Sequence, residues 1–554
     1  MTSRHLVTQS RIELIRFKLG DEIIIELDRM VTMRDGVDLC VNVFRPRQPG
    51  RYPVIMAMTP YGKDHSNHGE FYRSLPNAHL GRLASSELTT FEAPEPTYWV
   101  PNGYVVIQGD TRGQGKSRGD GGPFHHEDQR DYYDLIEWAG TQEWSNGNVG
   151  LSGVSYLAIS QWSVAPHRPP HLKAIVPWEG WNDFYLKFHF GGIPETGFMR
   201  YLYQVIVIPK HNSKDGCGWI EPDIIDHARQ HPLRDEYWRY FDYDLEKIDV
   251  PALVCASFSD QGLHTRDTFE GFKQISSPEK WLFNHRRPKW EAYYRQDGLM
   301  VQKRFLDHFL KGVDNGMERA PRVRLEINES RDVYKIIHCR EWPVEGTQYV
   351  PFYLDSAKAA LGRQPLAAEH FIAYASDGSE QAVFDFVADA DVDIIGNTKL
   401  KLWVAAEEAD DMDLFVGIKK FDYAGDEVYF YGLGGTNPND IVARGWLRVS
   451  HRELDPQRSK PWQPVLKHQR RLMLKSGEIV PVEIEILPSG TTFRKGDTLR
   501  VVVQGVRITP DRDSLVFNDV INRGRHRIYT GGKYDSHVLL PVVDTATLAG
   551  IWPI

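Results

Sequence analysis

The segment Asn148-Val149-Gly150-Leu151-Ser152-Gly153-Val154-Ser155-Tyr156-Leu157-Ala158 runs from an apolar strand pattern through Gly-x-Ser into a helical one. A small residue two positions before a serine lets the chain turn sharply there, and the turn lifts the hydroxyl out at the head of the following helix. The helix N-terminus favours negative charge developing on an attacked carbonyl. Ser155 is therefore a candidate nucleophile for acyl transfer. The usual Gly-x-Ser-x-Gly would place glycine at 157, where this chain has Leu157, with Ala158 one position further on.

A serine nucleophile needs a base and an orienting acid, supplied in the order Ser, Asp, His from the ends of later strands in α/β-hydrolases. Asp260 follows the apolar run Ala252 to Ala256, and His285 follows Trp281-Leu282-Phe283-Asn284 with Arg286 and Arg287 behind it. His264, four residues past Asp260, competes for the role of base, as do His308 on a helical stretch and the loop pair His125-His126.

The elements that must position these residues are legible as a pattern. Val31 to Val43 reads as a β-hairpin turning at Asp35-Gly36. Short, nearly continuous apolar runs at Pro53 to Met58, Tyr104 to Ile107 and Ala174 to Val176 suit strands buried on both faces of a parallel sheet. Helical stretches at Glu127 to Trp138 and from Tyr156 towards Trp162 separate them, giving an α/β alternation. Strand language resumes at Pro251 to Ala256 and Lys280 to Phe283, followed by a helix with Val301, Phe305 and Phe309 that Gly312 ends. Between them, Phe184, Phe188, Phe190, Phe198, Tyr201, Tyr203, Trp219, Tyr237 and Trp238 crowd an irregular stretch read as an inserted helical cap. They form either its core or a substrate wall. Beyond Pro343 the pattern is almost all strand, with Leu400, Leu402 and Val404, then Leu414, Val416 and Ile418, then Val482, Ile484 and Ile486 alternating.

The expected architecture is an α/β-hydrolase core over 1–182 and 244–342, a helical cap over 183–243, and a C-terminal β-sandwich of jelly-roll type over 343–554. A chain of 554 residues is too long for one core, consistent with this division.

Five motifs in order carry a family resemblance: Arg34-Asp35-Gly36-Val37, Thr59-Pro60-Tyr61-Gly62-Lys63, Asp110-x-Arg112-Gly113-x-Gly115-x-Ser117-x-Gly119, Asp134-Leu135-Ile136-Glu137-Trp138, and Gly147-Asn148-Val149-Gly150-x-x-Gly153-Val154-Ser155-Tyr156. Together with Ala443 to Ser450 in the C-terminal part, they resemble the cocaine esterase/NonD hydrolases. Those are relatives of Xaa-Pro dipeptidyl peptidases and α-amino-acid ester hydrolases. The resemblance implies a Ser155, Asp260, His285 triad and an oxyanion hole made from the Tyr156 backbone N–H and the Tyr61 hydroxyl, with Ala158 in place of the family's last glycine. It departs at Leu282-Phe283-Asn284, where many relatives have Gly-Pro-Trp before the histidine. The implied reaction is cleavage of a carboxylic ester through an acyl-enzyme. The rivals are Xaa-Pro-type peptidase or amidase action, acyl transfer in the same site, and a non-catalytic binding protein on the same scaffold.

Other features exclude more than they assign. The net charge is −9 with Lys and Arg scattered, which argues against nucleic acid as a partner; the partner expected from the hydrolase reading is a small-molecule ester or amide, and self-association into a homo-oligomer is left open. The opening residues carry no apolar export segment, no apolar run approaches 18 residues, and Cys40, Cys217, Cys255 and Cys339 are widely spaced. The expectation is a cytoplasmic protein with free thiols, no membrane association, no metal and no cofactor. Gly115-Lys116-Ser117 lacks the glycine that a phosphate loop needs at 110, where Asp110 stands, and Asp410, Asp411 and Asp413 read as a charged turn.

Overall fold

The computed structural model describes residues 22–64, 85–121, 124–211, 224–432, 434, 437–508 and 515–548. Strands β1 (Ile23–Thr32) and β2 (Asp38–Pro46) form the hairpin, closing on Thr32 opposite Asp38 with Gly36 at φ +87° in the turn. The parallel strands follow: β3 (Tyr52–Thr59), β4 (Val105–Asp110), β5 (Ser145–Val154), β6 (Leu172–Trp178), β7 (Ala252–Ser257) and β8 (Lys280–His285). Their pairings give the order β1-β2-β4-β3-β5-β6-β7-β8, with β2 antiparallel to both its neighbours and the other pairs parallel. Val54, Ile55, Met56, Val105, Val106 and Ile107 are completely buried, as strands covered on both faces must be.

Helices α1 (His126–Gly140) and α2 (Tyr156–Val164) pack on this sheet, α2 leaving directly from the end of β5. Helix α3 (Thr265–Gln274) follows β7, and α4 (Lys289–Tyr294) and α5 (Gln296–Lys311) follow β8. On α5, Val301 and Phe305 face the core, and Gly312 ends the helix at φ +70° with its N–H on the His308 carbonyl.

Strand β9 (Val323–Asn328) adds to the free edge of β8, in parallel, through Leu282 and Phe283, and pairs along its length with β10 (Tyr334–Cys339). The C-terminal part is a β-sandwich. In it β11 (Val392–Ala406) pairs antiparallel with β14 (Val480–Phe493), while β12 (Asp413–Phe421) lies between β13 (Ala443–Arg448) and β15 (Thr498–Gln504). The alternating apolar residues of β11, β12 and β14 share one buried cluster. Asp413, in the acidic turn region, makes a two-pronged ion pair with Arg448.

Between β6 and β7 the chain forms short helices at Tyr185–Phe188, Phe198–Tyr201, Ile224–Gln230 and Glu236–Arg239. Phe184, Phe188, Tyr203 and Trp238 are buried in one cluster with Tyr61, Phe124, Tyr156 and Trp181, so the cap's aromatic core is continuous with the site below. Phe190 instead meets Trp446 of the sandwich edge to face, 5.0 Å between ring centres. Trp219 lies outside the described residues. Cys40, Cys255 and Cys339 are free and buried, and Cys217 lies outside the described residues.

Candidate active site

Ser155 sits in the turn between β5 and α2 at φ +59°, ψ −117°, a conformation that a non-glycine residue adopts only under constraint from its surroundings. The constraint is visible. Its N–H faces the carbonyls of Trp178 and Glu179 at 3.0 and 3.1 Å, and the Val154 N–H donates to the Glu92 carbonyl at 3.0 Å. Gly153 must be glycine, because a Cβ there would lie 2.4 Å from Leu157 Cβ. The methyl of Ala158, where the family has glycine, is buried against Gly180, whose own missing side chain leaves the room.

The histidine in hydrogen-bonding reach of the Ser155 hydroxyl is His264, with Nε2 3.2 Å from Oγ. Three backbone N–H groups, of Leu263, His264 and Thr265, converge on the Asp260 carbonyl, so residues 260–264 form one tight turn at the head of α3. That turn brings the Asp260 carboxylate to 3.9 Å from His264 Nε2. Trp181 stacks on the imidazole, 5.4 Å between centres and 20° between planes. Asp260 thus approaches the same ring nitrogen that faces Ser155, and His264 Nδ1 has no hydrogen-bond partner among the described residues.

The structure sets His285, the expected base, against Glu179. Its ring lies at the end of β8, but Nε2 faces Glu179 Oε1 at 3.0 Å, out of line for a straight hydrogen bond, and Nδ1 accepts from the Arg287 N–H at 3.3 Å. Glu179, just past β6 at φ +50°, accepts from Ser257 Oγ at 2.5 Å. Of the two ring nitrogens of His285, Nδ1 is hydrogen-bonded to backbone and Nε2 faces the carboxylate without a hydrogen bond. His125 pairs with Glu127, and His308 Nδ1 donates to the Val313 carbonyl.

Tyr61 follows β3, and its loop is tied down by Asp110 at the end of β4, which accepts from the backbone N–H groups of Lys63 (2.5 Å) and Lys116 (3.0 Å). The Tyr61 ring packs edge to face on Phe91 and Tyr156. Burial pushes its phenol well above the ordinary range and the Glu92 carboxylate adds to this, while the Ser155 side chain and the Tyr156 backbone N–H act the other way. The Tyr61 hydroxyl and the Tyr156 N–H thus meet beside Ser155.

Behind the site lies a buried group of ionisable residues missed by sequence reasoning: Glu92, Glu179 and Lys289. Lys289 Nζ is 3.3 Å from Asp260 Oδ2. Burial raises the Asp260 carboxyl to about 6 against the pull of Lys289, and raises Glu92 to about 8. Burial, aided by the charges of Lys289 and Lys187, pushes His264 well below its ordinary value, so the ring is neutral and able to accept a proton. The Glu that follows an apolar strand in Trp178-Glu179-Gly180-Trp181 was the available signal for Glu179; nothing in the local sequence marks Lys289.

Comparison with known proteins agrees with this architecture. The family model for X-Pro dipeptidyl-peptidase (S15 family) matches residues 35–291, and that for the X-Pro dipeptidyl-peptidase C-terminal non-catalytic domain matches residues 315–539, beginning ahead of β9. Fold and domain pair define a hydrolytic enzyme of the serine hydrolase class, an esterase or peptidase. A crystal structure of a CocE/NonD family hydrolase from Staphylococcus aureus is 44% identical, covers 94% of each chain and superposes with a TM-score of 0.89. This chain belongs to the CocE/NonD family of hydrolases. It is also 25% identical to cocaine esterase of a Rhodococcus species, over 93% of this chain and 98% of that protein, and 24% identical to a putative Xaa-Pro dipeptidyl-peptidase of Bacillus cereus, over 84% and 81%. Among the described residues no helix is long and apolar enough to cross a membrane.

Proposed function

We propose that the protein hydrolyses a carboxylic ester through an acyl-enzyme on Ser155, with His264 as general base, Asp260 as the charge that stabilises its protonated form, and Tyr61 and the Tyr156 N–H as oxyanion donors. The observation that carries this reading is the 3.2 Å approach of His264 Nε2 to Oγ of a serine held in a constrained turn. His264 takes the Ser155 proton as Oγ attacks the carbonyl carbon, and the carbonyl oxygen moves toward the two donors as it becomes an oxyanion. His264 then gives the proton to the leaving alkoxide. Water repeats the sequence on the acyl-enzyme and releases the acid.

The cocaine esterase likeness over nearly the whole of both chains supports an ester as substrate, with small-molecule size the natural scale for a site this enclosed by the cap cluster. A fluorophosphonate probe should label the protein at Ser155, and Ser155→Ala should lose label together with about 10⁶-fold in kcat while keeping its melting temperature. Profiling against acyl esters, amino-acid esters and dipeptidyl anilides then separates esterase from peptidase action. Labelling or turnover that survives the substitution would remove the nucleophile from this account.

A further inference from the structure

The C-terminal sandwich reaches the acid loop of the site directly. The Gly434 N–H donates to the Ser259 carbonyl at 3.0 Å, adjoining Asp260. Gln261, on the other side of Asp260, donates to the Val442 carbonyl at 3.0 Å and accepts from the Arg444 N–H at 3.0 Å. Arg286, just past β8, donates to the carbonyls of Ile441 and Val442, both at 2.9 Å. Both segments that frame Asp260 and lead to Lys289 are thus held by sandwich backbone.

Lys289 itself is 5% exposed and opens α4. Its ammonium is 3.3 Å from Asp260 Oδ2 and 5.0 Å from the centre of the Trp290 ring. Gly434, at φ +62°, lies against this pair: a Cβ there would come within 3.1 Å of Lys289 Cε and 3.5 Å of Asp260 Oδ2. A side chain at 434 would therefore press on the lysine stem, in a backbone conformation that L residues rarely adopt.

We propose that Lys289 is a positioning residue for Asp260, and that the sandwich domain, through Gly434, fixes Lys289 in that place, so that the domain takes part in setting the charge of the catalytic site. The inference rests on the assignment of Asp260 and His264 made above. Opposed charges compete around the Asp260 carboxylate. Asp260 is enclosed with Glu179, Lys187 from the cap, Lys289 from α4 and the His264 ring; Lys187 is itself bound to Asp267 at 3.1 Å. Lys289 is the cation in contact with the Asp260 carboxylate, and Asp260, Glu92 and Glu179 together outweigh burial in keeping the lysine charged. Without it, a buried carboxylate takes up a proton more readily, and so does the imidazole beside it.

The test compares Lys289→Met, Lys289→Arg and Gly434→Ala in the full chain, reading kcat, KM, the acid limb of the pH profile and the melting temperature, with Ser155→Ala as reference. Removing the cation raises the proton affinity of both Asp260 and His264, so the acid limb should move to higher pH by about one unit or more in Lys289→Met, with kcat falling about 10- to 100-fold and KM changing little. Lys289→Arg should return most of the wild-type profile. Gly434→Ala should move the limb in the same direction by a smaller amount. If Lys289→Met does not fold, Gly434→Ala against Lys289→Arg decides the matter. An acid limb that stays in place in folded Lys289→Met, or in Gly434→Ala where the Met variant does not fold, overturns the proposal, whereas activity surviving in Ser155→Ala overturns the active-site reading instead.

Discussion

Replacing Asp260 by Asn keeps the shape of the side chain and removes its charge. In the wild type the carboxylate lies 3.9 Å from His264 Nε2, and both groups are fully buried. When His264 takes the Ser155 proton, a positive ring forms at that distance from a negative carboxylate. Two unit charges so placed attract by about 4 kcal/mol at an effective dielectric of about 20. At about 1.4 kcal/mol per decade of rate, the loss is on the order of 10³-fold in kcat. KM should change much less, since the ground state contains no imidazolium. The assay is steady-state hydrolysis of a chromogenic acyl ester over a range of pH, with thermal melting to confirm the fold, because leaving Lys289 without Asp260 disturbs a buried ion pair. Protonation has the same effect as substitution: as pH falls through about 6, where the Asp260 carboxyl takes up its proton, wild-type kcat should fall toward that of the Asn variant. The Asn variant should lack that limb. A loss below about 10-fold, or a limb near 6 that persists in the variant, would refute the charge argument.

Tyr61→Phe keeps the ring packing on Phe91 and Tyr156 and removes the hydroxyl, so kcat should fall about 10²- to 10³-fold at unchanged melting temperature. A variant within a few fold of wild type would place the second oxyanion donor elsewhere. His189 of the cap and His451 and His468 of the sandwich form a buried group, with His451 Nδ1 3.0 Å from His468 Nδ1 and one ring donating to the other. Burial pushes His189 and His451 down to about 3 and His468 well below its ordinary value. The unfolded chain protonates these rings below about 6.5 and the folded one does not, so unfolding free energy should fall as pH drops from about 6.5 toward 3, by up to about 1.4 kcal/mol per ring per unit. Urea unfolding at neutral and mildly acid pH should show this fall, and His451→Leu with His468→Leu should flatten it; equal slopes in the two proteins would contradict the assignment.

The parallel strands were legible because burial on both faces leaves nearly unbroken apolar runs, as at Pro53 to Met58 within β3, and the turn at Ser155 because its glycine and serine must keep fixed places. The order of acid and base along the chain pointed past His264 to His285, since β8 ends there. What sets their different surroundings is not local. Glu179 arrives from the end of β6 to occupy His285, and a single turn folds His264 back over its own Asp260. Lys289 and Gly434 were illegible for the same reason: a lysine at a helix start and a glycine in a loop acquire meaning only when the sandwich closes on the core. The aromatic surplus of the cap was readable as composition but not as geometry; the fold makes most of it core, and joins that core to Tyr61 and Tyr156.

The central claim is that His264 serves Ser155 as base. His264→Ala and His285→Gln, the latter keeping an amide to face Glu179, should be compared in kcat and in the rate of fluorophosphonate labelling. The account predicts a loss on the order of 10⁴-fold or more for His264→Ala, partly restored by added imidazole, and less than about 10-fold for His285→Gln at comparable melting temperatures. An active His264→Ala beside a folded but inactive His285→Gln would contradict it.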